Sequence, residues 1–286
     1  MNILVEHRGH EFYVTESYPL EDLLRVQHRS LEMFRAIVEI LDRHEVEYTL
    51  GYGSLLGMVR HQGYIPWDDD IDLFIMRHDY GRAILHLRRE LPRHLILHDK
   101  RNDPVYWVTW VKVRDLRSFG LESTWKIDRR FKFHGVAIDL IPVVPSTTGD
   151  QAYGSKSKRY APELAKLAES RNRGVRDRIR GLPRKAVKRA RLAAALGLAR
   201  VERRMRRKAT LIAAPGTVIE TSFGYDDFFP IRRGGGRFEG MAVNAPNDPE
   251  KVLTAMYGRY QDLPPVESRL PHYEYVRFYD DERRLA

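Results

Sequence analysis

The stretch "GYGSLLGMVRHQGYIPWDDDIDLFI" runs from Gly51 to Ile75. Four aspartates (Asp68, Asp69, Asp70 and Asp72) fall within five positions, between an aromatic turn and a hydrophobic run. "IDLFIM" reads as a strand, bounded upstream by Pro66 and the acidic cluster. Side chains alternate along a strand, so Asp70 and Asp72 share one face while Ile71, Leu73 and Ile75 take the other. At about 3.3 Å of rise per residue, the two carboxylates stand roughly 7 Å apart along the chain. Carboxylates held together repel and are costly to bury, so they need a cation. Hard divalent ions suit them, usually with one or two carboxylates plus substrate phosphates as ligands. An isolated Asp-x-Asp pair more often caps a solvated turn.

Two further features weigh against that bland reading. Gly51-Tyr52-Gly53-Ser54 follows a predicted strand, "VEYTLGYGS", and precedes "LLGMVR", which can open a helix. A glycine turn there lets backbone N–H groups approach a phosphate at the positive end of a helix. Asp139 stands isolated in the apolar "VAIDLIPVV" (Val136 to Val144) and points away from the face of Ile138 and Leu140. Three carboxylates from two strands, facing a glycine-serine turn, form a constellation for metal-assisted phosphoryl transfer. Arg60 reads as a contact to donor phosphate, since its fork suits phosphate oxygens, or as a salt-bridge partner of a neighbouring aspartate. His61 reads as structural, and Trp67 as packing under the acidic turn. Lys112 reads as lying on a solvated strand face, "RRGGGRF" (Arg232 to Phe238) as a mobile loop, and Tyr257 and Tyr260 as core or rim packing.

The bulk composition sets the frame. The chain has 286 residues, 43% of them hydrophobic, and a net charge of +10. It has no cysteine, which excludes disulfides, thiolate metal sites and cysteine nucleophiles. "MNILVEHRGHEFYV" has no uninterrupted apolar core, so no secretory signal is expected, and "LAAALGLA" is far short of a membrane span. The expectation is a soluble, cytoplasmic protein. Charge is uneven: Lys156 to Lys208 holds 20 Lys/Arg against four acids, a net +16 that leaves −6 for the remainder. This segment has three readings, namely a solvated helical hairpin, an anionic membrane surface contact, or a nucleic-acid contact. The last is disfavoured, because no aromatic for base stacking lies between Ala161 and Ala209. Asp22 to His44 reads as an amphipathic helix, "YWVTWVKVRD" (Tyr106 to Asp115) as a strand, and Asp248 with Pro249 as a helix start. The predicted division is a catalytic core over 1–149, an Arg-rich helical insertion over 150–214 and a C-terminal part over 215–286 that completes the core. The class is α/β or α+β.

"YGSLLGMVRHQGYIPWDDDIDLFIMRHDY" closely resembles the signature of LicD-type phosphotransferases, relatives of fukutin and fukutin-related protein. "HGVAIDLIPV" resembles the family's third-carboxylate strand, and "AMYGRYQDLPPVESRLPH" its C-terminal segment. The likeness is dense over Tyr48 to Tyr80, patchy to Val144, and resumes from Phe238 to His272. The resemblance implies a nucleotidyltransferase fold, a small mixed β-sheet flanked by helices, here with a basic helical insertion. It implies transfer of a phosphate-linked group, such as phosphocholine or a polyol phosphate, from a CDP-activated donor to a hydroxyl of a glycan or lipid-linked glycan. Asp70, Asp72 and Asp139 match the metal-binding, catalytic carboxylates, for two Mg²⁺ or Mn²⁺ ions, with Asp68 a possible further ligand. Gly53 and Ser54 match the donor-phosphate turn. An acceptor of that kind suits a cytoplasmic enzyme resting at the inner face of a membrane through residues 156–208. Two competing readings stay open: nucleotidyl transfer to another acceptor, and a non-catalytic basic module that binds RNA or membrane.

Overall fold

The computed structural model describes residues 1–122, 129–146, 210–215 and 220–279. The expected insertion therefore lies, up to residue 209, outside the described residues. An N-terminal hairpin, β1 (Asn2–His7) and β2 (His10–Thr15), precedes the long helix α1 (Leu20–Arg43). Leu23, Val26, Met33, Phe34, Ile37, Val38 and Leu41 repeat at helical spacing on α1 and are all buried, as a core-facing stripe requires. Then follow β3 (Tyr48–Leu50), α2 (Tyr52–His61), β4 (Ile71–Met76) and α3 (Arg77–Glu90). β5 (Leu95–His98), β6 (Val111–Asp115), β7 (Ser118–Glu122) and β8 (Ala137–Ser146) come next. β9 (Thr210–Ala213), β10 (Thr221–Gly224), the short α4 (Tyr225–Phe228) and the hairpin β11 (Arg232–Phe238) and β12 (Met241–Ala245) lead to α5 (Pro249–Tyr257) and β13 (Tyr273–Phe278).

Seven of these strands form one mixed sheet around β4 and β8. These two run parallel, with Ile71 opposite Ile138, Asp72 opposite Asp139 and Leu73 opposite Leu140. β3 closes the far edge of β4 in antiparallel fashion. The other edge of β8 is shared: β6 pairs along its first half, from Ala137 to Leu140, and β9 along its second, from Val143 to Ser146. β4 and β8 are buried almost throughout, so both read as apolar runs, and an aspartate within them needs a reason.

The structure departs from expectation at three places. Thr210–Ala213, placed in the helical insertion by composition, is strand β9 of the central sheet. "RRGGGRF" is not a loop but strand β11, with a register irregularity between Arg232 and Gly236 that absorbs the glycines. The strand expected from Tyr106 begins only at Val111. There the Tyr80 hydroxyl accepts from the Val111 N–H (2.8 Å) and donates to the Leu140 carbonyl (2.6 Å), a side-chain bridge at the point where the ladder starts.

Candidate active site

The site grows from the β3–α2 turn. Gly51 donates its N–H to the Asp72 carbonyl (2.8 Å), and the Asp72 N–H donates to Ser54 Oγ (2.9 Å), so the turn is tied to the acidic strand from both sides. Ser54 is buried. No side chain caps α2, and the N–H groups of its first residues, Gly53 and Ser54 among them, have no partner within the helix. Gly53 leaves room for a carboxylate: a Cβ there would meet Asp68 Oδ2 at 2.6 Å and push that side chain aside. Tyr52 takes a φ of +38°, which costs a non-glycine residue about 1–2 kcal/mol.

Asp72 and Asp139 are direct partners across the parallel pair β4–β8, and such partners project from the same face of a sheet. Asp70 stands two residues upstream of Asp72. Burial, then the Asp70 and Asp139 carboxylates, push the Asp72 carboxyl well above the usual carboxylate range. Burial, then Asp68, push Asp70 up in the same way, against the pull of the His272 imidazole. Water still reaches 37% of the Asp70 side chain, so screening weakens its shift more than that of a sheltered group. An uncapped helix start that attracts anions thus lies beside a cluster of anions. The two make chemical sense together when a cation bridges them to a bound phosphate.

Lys112 is the buried counter-charge. It faces Asp139 across β6–β8 and is sheltered, not solvated as expected. Its Nζ donates to Asp139 Oδ2 (3.1 Å) and lies 3.0 Å from Oδ1 and 3.7 Å from Glu122 Oε1. Burial works against its charge, and the Asp139 and Glu122 carboxylates outweigh it, holding the ammonium well above its ordinary range. The contact with Oδ1 is electrostatic only: this buried oxygen accepts no hydrogen bond. A lone pair without a donor, at the inner end of a carboxylate cluster, fits a divalent cation. Carboxylate oxygens such as those of Asp70, Asp72 and Asp139 are the donor type a hard ion takes.

Asp69 has a different task. It is fully buried and accepts the backbone N–H groups of His272 (3.0 Å) and Tyr273 (3.0 Å), which clamps the C-terminal strand onto the acidic loop. His272 Nδ1 lies 3.0 Å from Asp69 Oδ1, 3.4 Å from Asp68 Oδ1 and 3.7 Å from Asp70 Oδ2. The Asp70 carboxylate, against burial and with help from Asp68 and Asp69, raises the His272 imidazole well above its ordinary range. Nothing in the local pattern around His272 announces this: the residue is some two hundred positions away in sequence. Gln27 on α1 holds the same loop by donating to the Asp68 carbonyl (2.8 Å), and Trp67 is buried beside it. The rim carries Tyr257, 44% exposed, whose phenol is raised first by burial and then by Asp72, Asp68 and Asp70.

Arg60 is not brought to the carboxylates. It sits at the far end of α2, about 9 Å along the axis from Ser54 at 1.5 Å per residue. Its guanidinium donates to His61 Nε2 (2.9 Å) and to the Tyr260 carbonyl (3.0 Å). Of the others, Ser54 is bonded to Asp72, Asp72 is paired with Asp139 across β4–β8, and Gly53 closes on Asp68, while the ligand atoms that lie within 4.8 Å of one another in this loop are those of Asp68, Asp69 and His272.

Comparison with known proteins agrees with this architecture. Residues 45–159 match the family described as LicD/FKTN/FKRP, nucleotidyltransferase domain. Over 54 residues the chain is 46% identical to the lipopolysaccharide cholinephosphotransferase LicD of Haemophilus influenzae, covering 19% of each chain. Over 52 residues it is 48% identical to the ribitol 5-phosphate transferase FKRP of Mus musculus and to that of Homo sapiens, covering 18% of this chain and 10% of theirs. The matched stretch thus spans a fifth or less of the length of these relatives. The family match over residues 45–159 takes in the β3–α2 turn, the acidic loop and the strands that carry Asp72 and Asp139.

Proposed function

We propose that the protein is a metal-dependent phosphotransferase, moving a phosphate-linked head group such as phosphocholine or a polyol phosphate from a CDP-activated donor to a glycan hydroxyl. The observation that carries this is the in-register pair Asp72 and Asp139, with Asp70 upstream and an uncapped helix start alongside. The named relatives, one a cholinephosphotransferase and one a ribitol 5-phosphate transferase, share this transfer of a substituted phosphate. Asp70, Asp72 and Asp139 would hold two Mg²⁺ or Mn²⁺ ions, which when bound neutralise a diphosphate and ease departure of CMP. The N–H groups of Gly53 and Ser54 would orient the donor phosphates. Asp139 would take the proton of the attacking hydroxyl, with Lys112 fixing its carboxylate. Attack falls on the distal phosphorus, so the head-group phosphate passes to the acceptor and CMP leaves.

The test is a screen of CDP-choline, CDP-ribitol and CDP-glycerol with Mg²⁺ or Mn²⁺ and a hydroxylated glycan acceptor, followed by mass analysis of the product. Release of CMP and an acceptor heavier by the head-group phosphate are expected. An acceptor heavier by a cytidylyl unit, with free head-group phosphate in solution, would assign the protein to nucleotidyl transfer instead.

A further inference from the structure

Where α1 and α3 end together, a second group of ligand-type side chains converges, sharing no residue with the carboxylate site. His44 caps the C-terminus of α1, and His86 and Glu90 lie one turn apart on the last turns of α3. The two imidazoles stack face to face, 3.5 Å between centroids and 18° between planes. Both aim a nitrogen at one oxygen: His44 Nε2 is 2.6 Å and His86 Nδ1 is 3.4 Å from Glu90 Oε1. The three ligand atoms lie within 4.8 Å of one another. The side chains are 22–27% exposed, sheltered but reachable from solvent.

A single ring-to-carboxylate contact explains His44 but not His86, which stacks on it and faces the same oxygen. Two further observations favour a bound cation. Both helices place their negative C-terminal ends here, where positive charge is stabilised. The other oxygen of Glu90 is held by Arg43 Nη1 at 3.0 Å, the kind of outer contact that orients a ligating carboxylate. Two nitrogens and one oxygen suit zinc rather than Mg²⁺ or Ca²⁺, which prefer all-oxygen sets. Zinc bonds of about 2.0–2.1 Å set tetrahedral donors about 3.3 Å apart; the His86–Glu90 pair at 3.4 Å already has that spacing, and the His44–Glu90 pair at 2.6 Å must widen to it.

We propose that His44, His86 and Glu90 form a three-ligand zinc site, completed by water, that pins the end of α1 to the end of α3.

The experiment is zinc analysis and thermal melting of the full chain after dialysis against ZnCl₂, with wild type, His44→Gln, His86→Gln and Asp72→Asn in parallel. Wild type and Asp72→Asn should retain one zinc at this site and melt higher with Zn²⁺ than with Mg²⁺. Each histidine variant should bind zinc at least about tenfold more weakly and lose the zinc-dependent rise. Far-UV circular dichroism checks that both variants are folded. Zinc content and melting that are the same in wild type and both histidine variants would overturn the site, as would wild type holding no zinc. Loss of zinc in Asp72→Asn alone would assign the ion to the carboxylates.

Discussion

Asp72 is the residue on which the site turns. Its side chain is crowded by Asp70 and Asp139, so Asp72→Asn removes repulsion while leaving the backbone bond to Ser54 in place. Turnover should fall to background, and the melting temperature of the metal-free protein should hold or rise. A CMP-release assay beside a melting curve reads both. A second residue-level expectation concerns His98. Its Nδ1 accepts from Arg114 Nε (3.0 Å), which fixes the neutral ring with the proton on Nε2, facing Asp103 Oδ2 at 2.8 Å. Burial, then Arg114, lower this imidazole to about 4. The unfolded chain takes up the proton near pH 6.5, the folded one only near pH 4. The stability is therefore whole above pH 6.5 and drains away as pH falls toward 4, by roughly 3 kcal/mol at about 1.4 kcal/mol per unit. Denaturant midpoints across that range should show the slope, and His98→Asn should flatten it. A slope unchanged by the substitution would count against His98 as its source.

At the scale of elements, α2 is seated by Gly57. A Cβ there would lie 2.3 Å from the Gly63 carbonyl oxygen and 3.2 Å from the Ile65 N, both backbone atoms of the turn that leads to the acidic loop. Alanine gains about 1 kcal/mol in helix propensity over glycine. A backbone clash of that depth costs more, about 1–3 kcal/mol. Gly57→Ala should lower stability on balance and weaken donor binding, because the turn carries the carboxylates; a stabilised variant would show that the turn yields. This scale also shows where sequence reading succeeds. The period of α1 and the cap at Asp248, whose carboxylate accepts the Lys251 N–H, are local patterns, and local physics suffices for them. The contact of Lys112 with Asp139 depends on β6 and β8 pairing, which no window around either residue contains. The placement of His272 over Asp69 is non-local in the same way. "RRGGGRF" misleads for another reason: a partner strand supplies the order that three glycines lack.

For the whole molecule, residues 156–208 concentrate a net +16 in a chain whose remainder carries −6. No helix among the described residues is long and apolar enough to cross a membrane. If the basic segment meets an anionic lipid surface, at about 1 kcal/mol per nearby Lys/Arg, vesicles with acidic lipid should co-sediment the protein, and salt should release it. Equal sedimentation with neutral vesicles would remove that reading.

The sharing of one edge of β8 between β6 and β9 has a consequence for how this chain can be rebuilt. The chain leaves the sheet at Ser146 and re-enters at Thr210, and these two residues are opposite partners in the antiparallel ladder. Their Cα atoms therefore lie about 5 Å apart, the span of an ordinary hairpin turn. The two ends that residues 147–209 join stand one strand spacing apart. Closing such a gap costs little more for a long passenger than for a short one, since loop entropy grows only with the logarithm of length. The position is a natural socket: passengers of different length and charge can be grafted there, or replaced by a two-residue turn, while the strands that carry Asp72 and Asp139 keep their register.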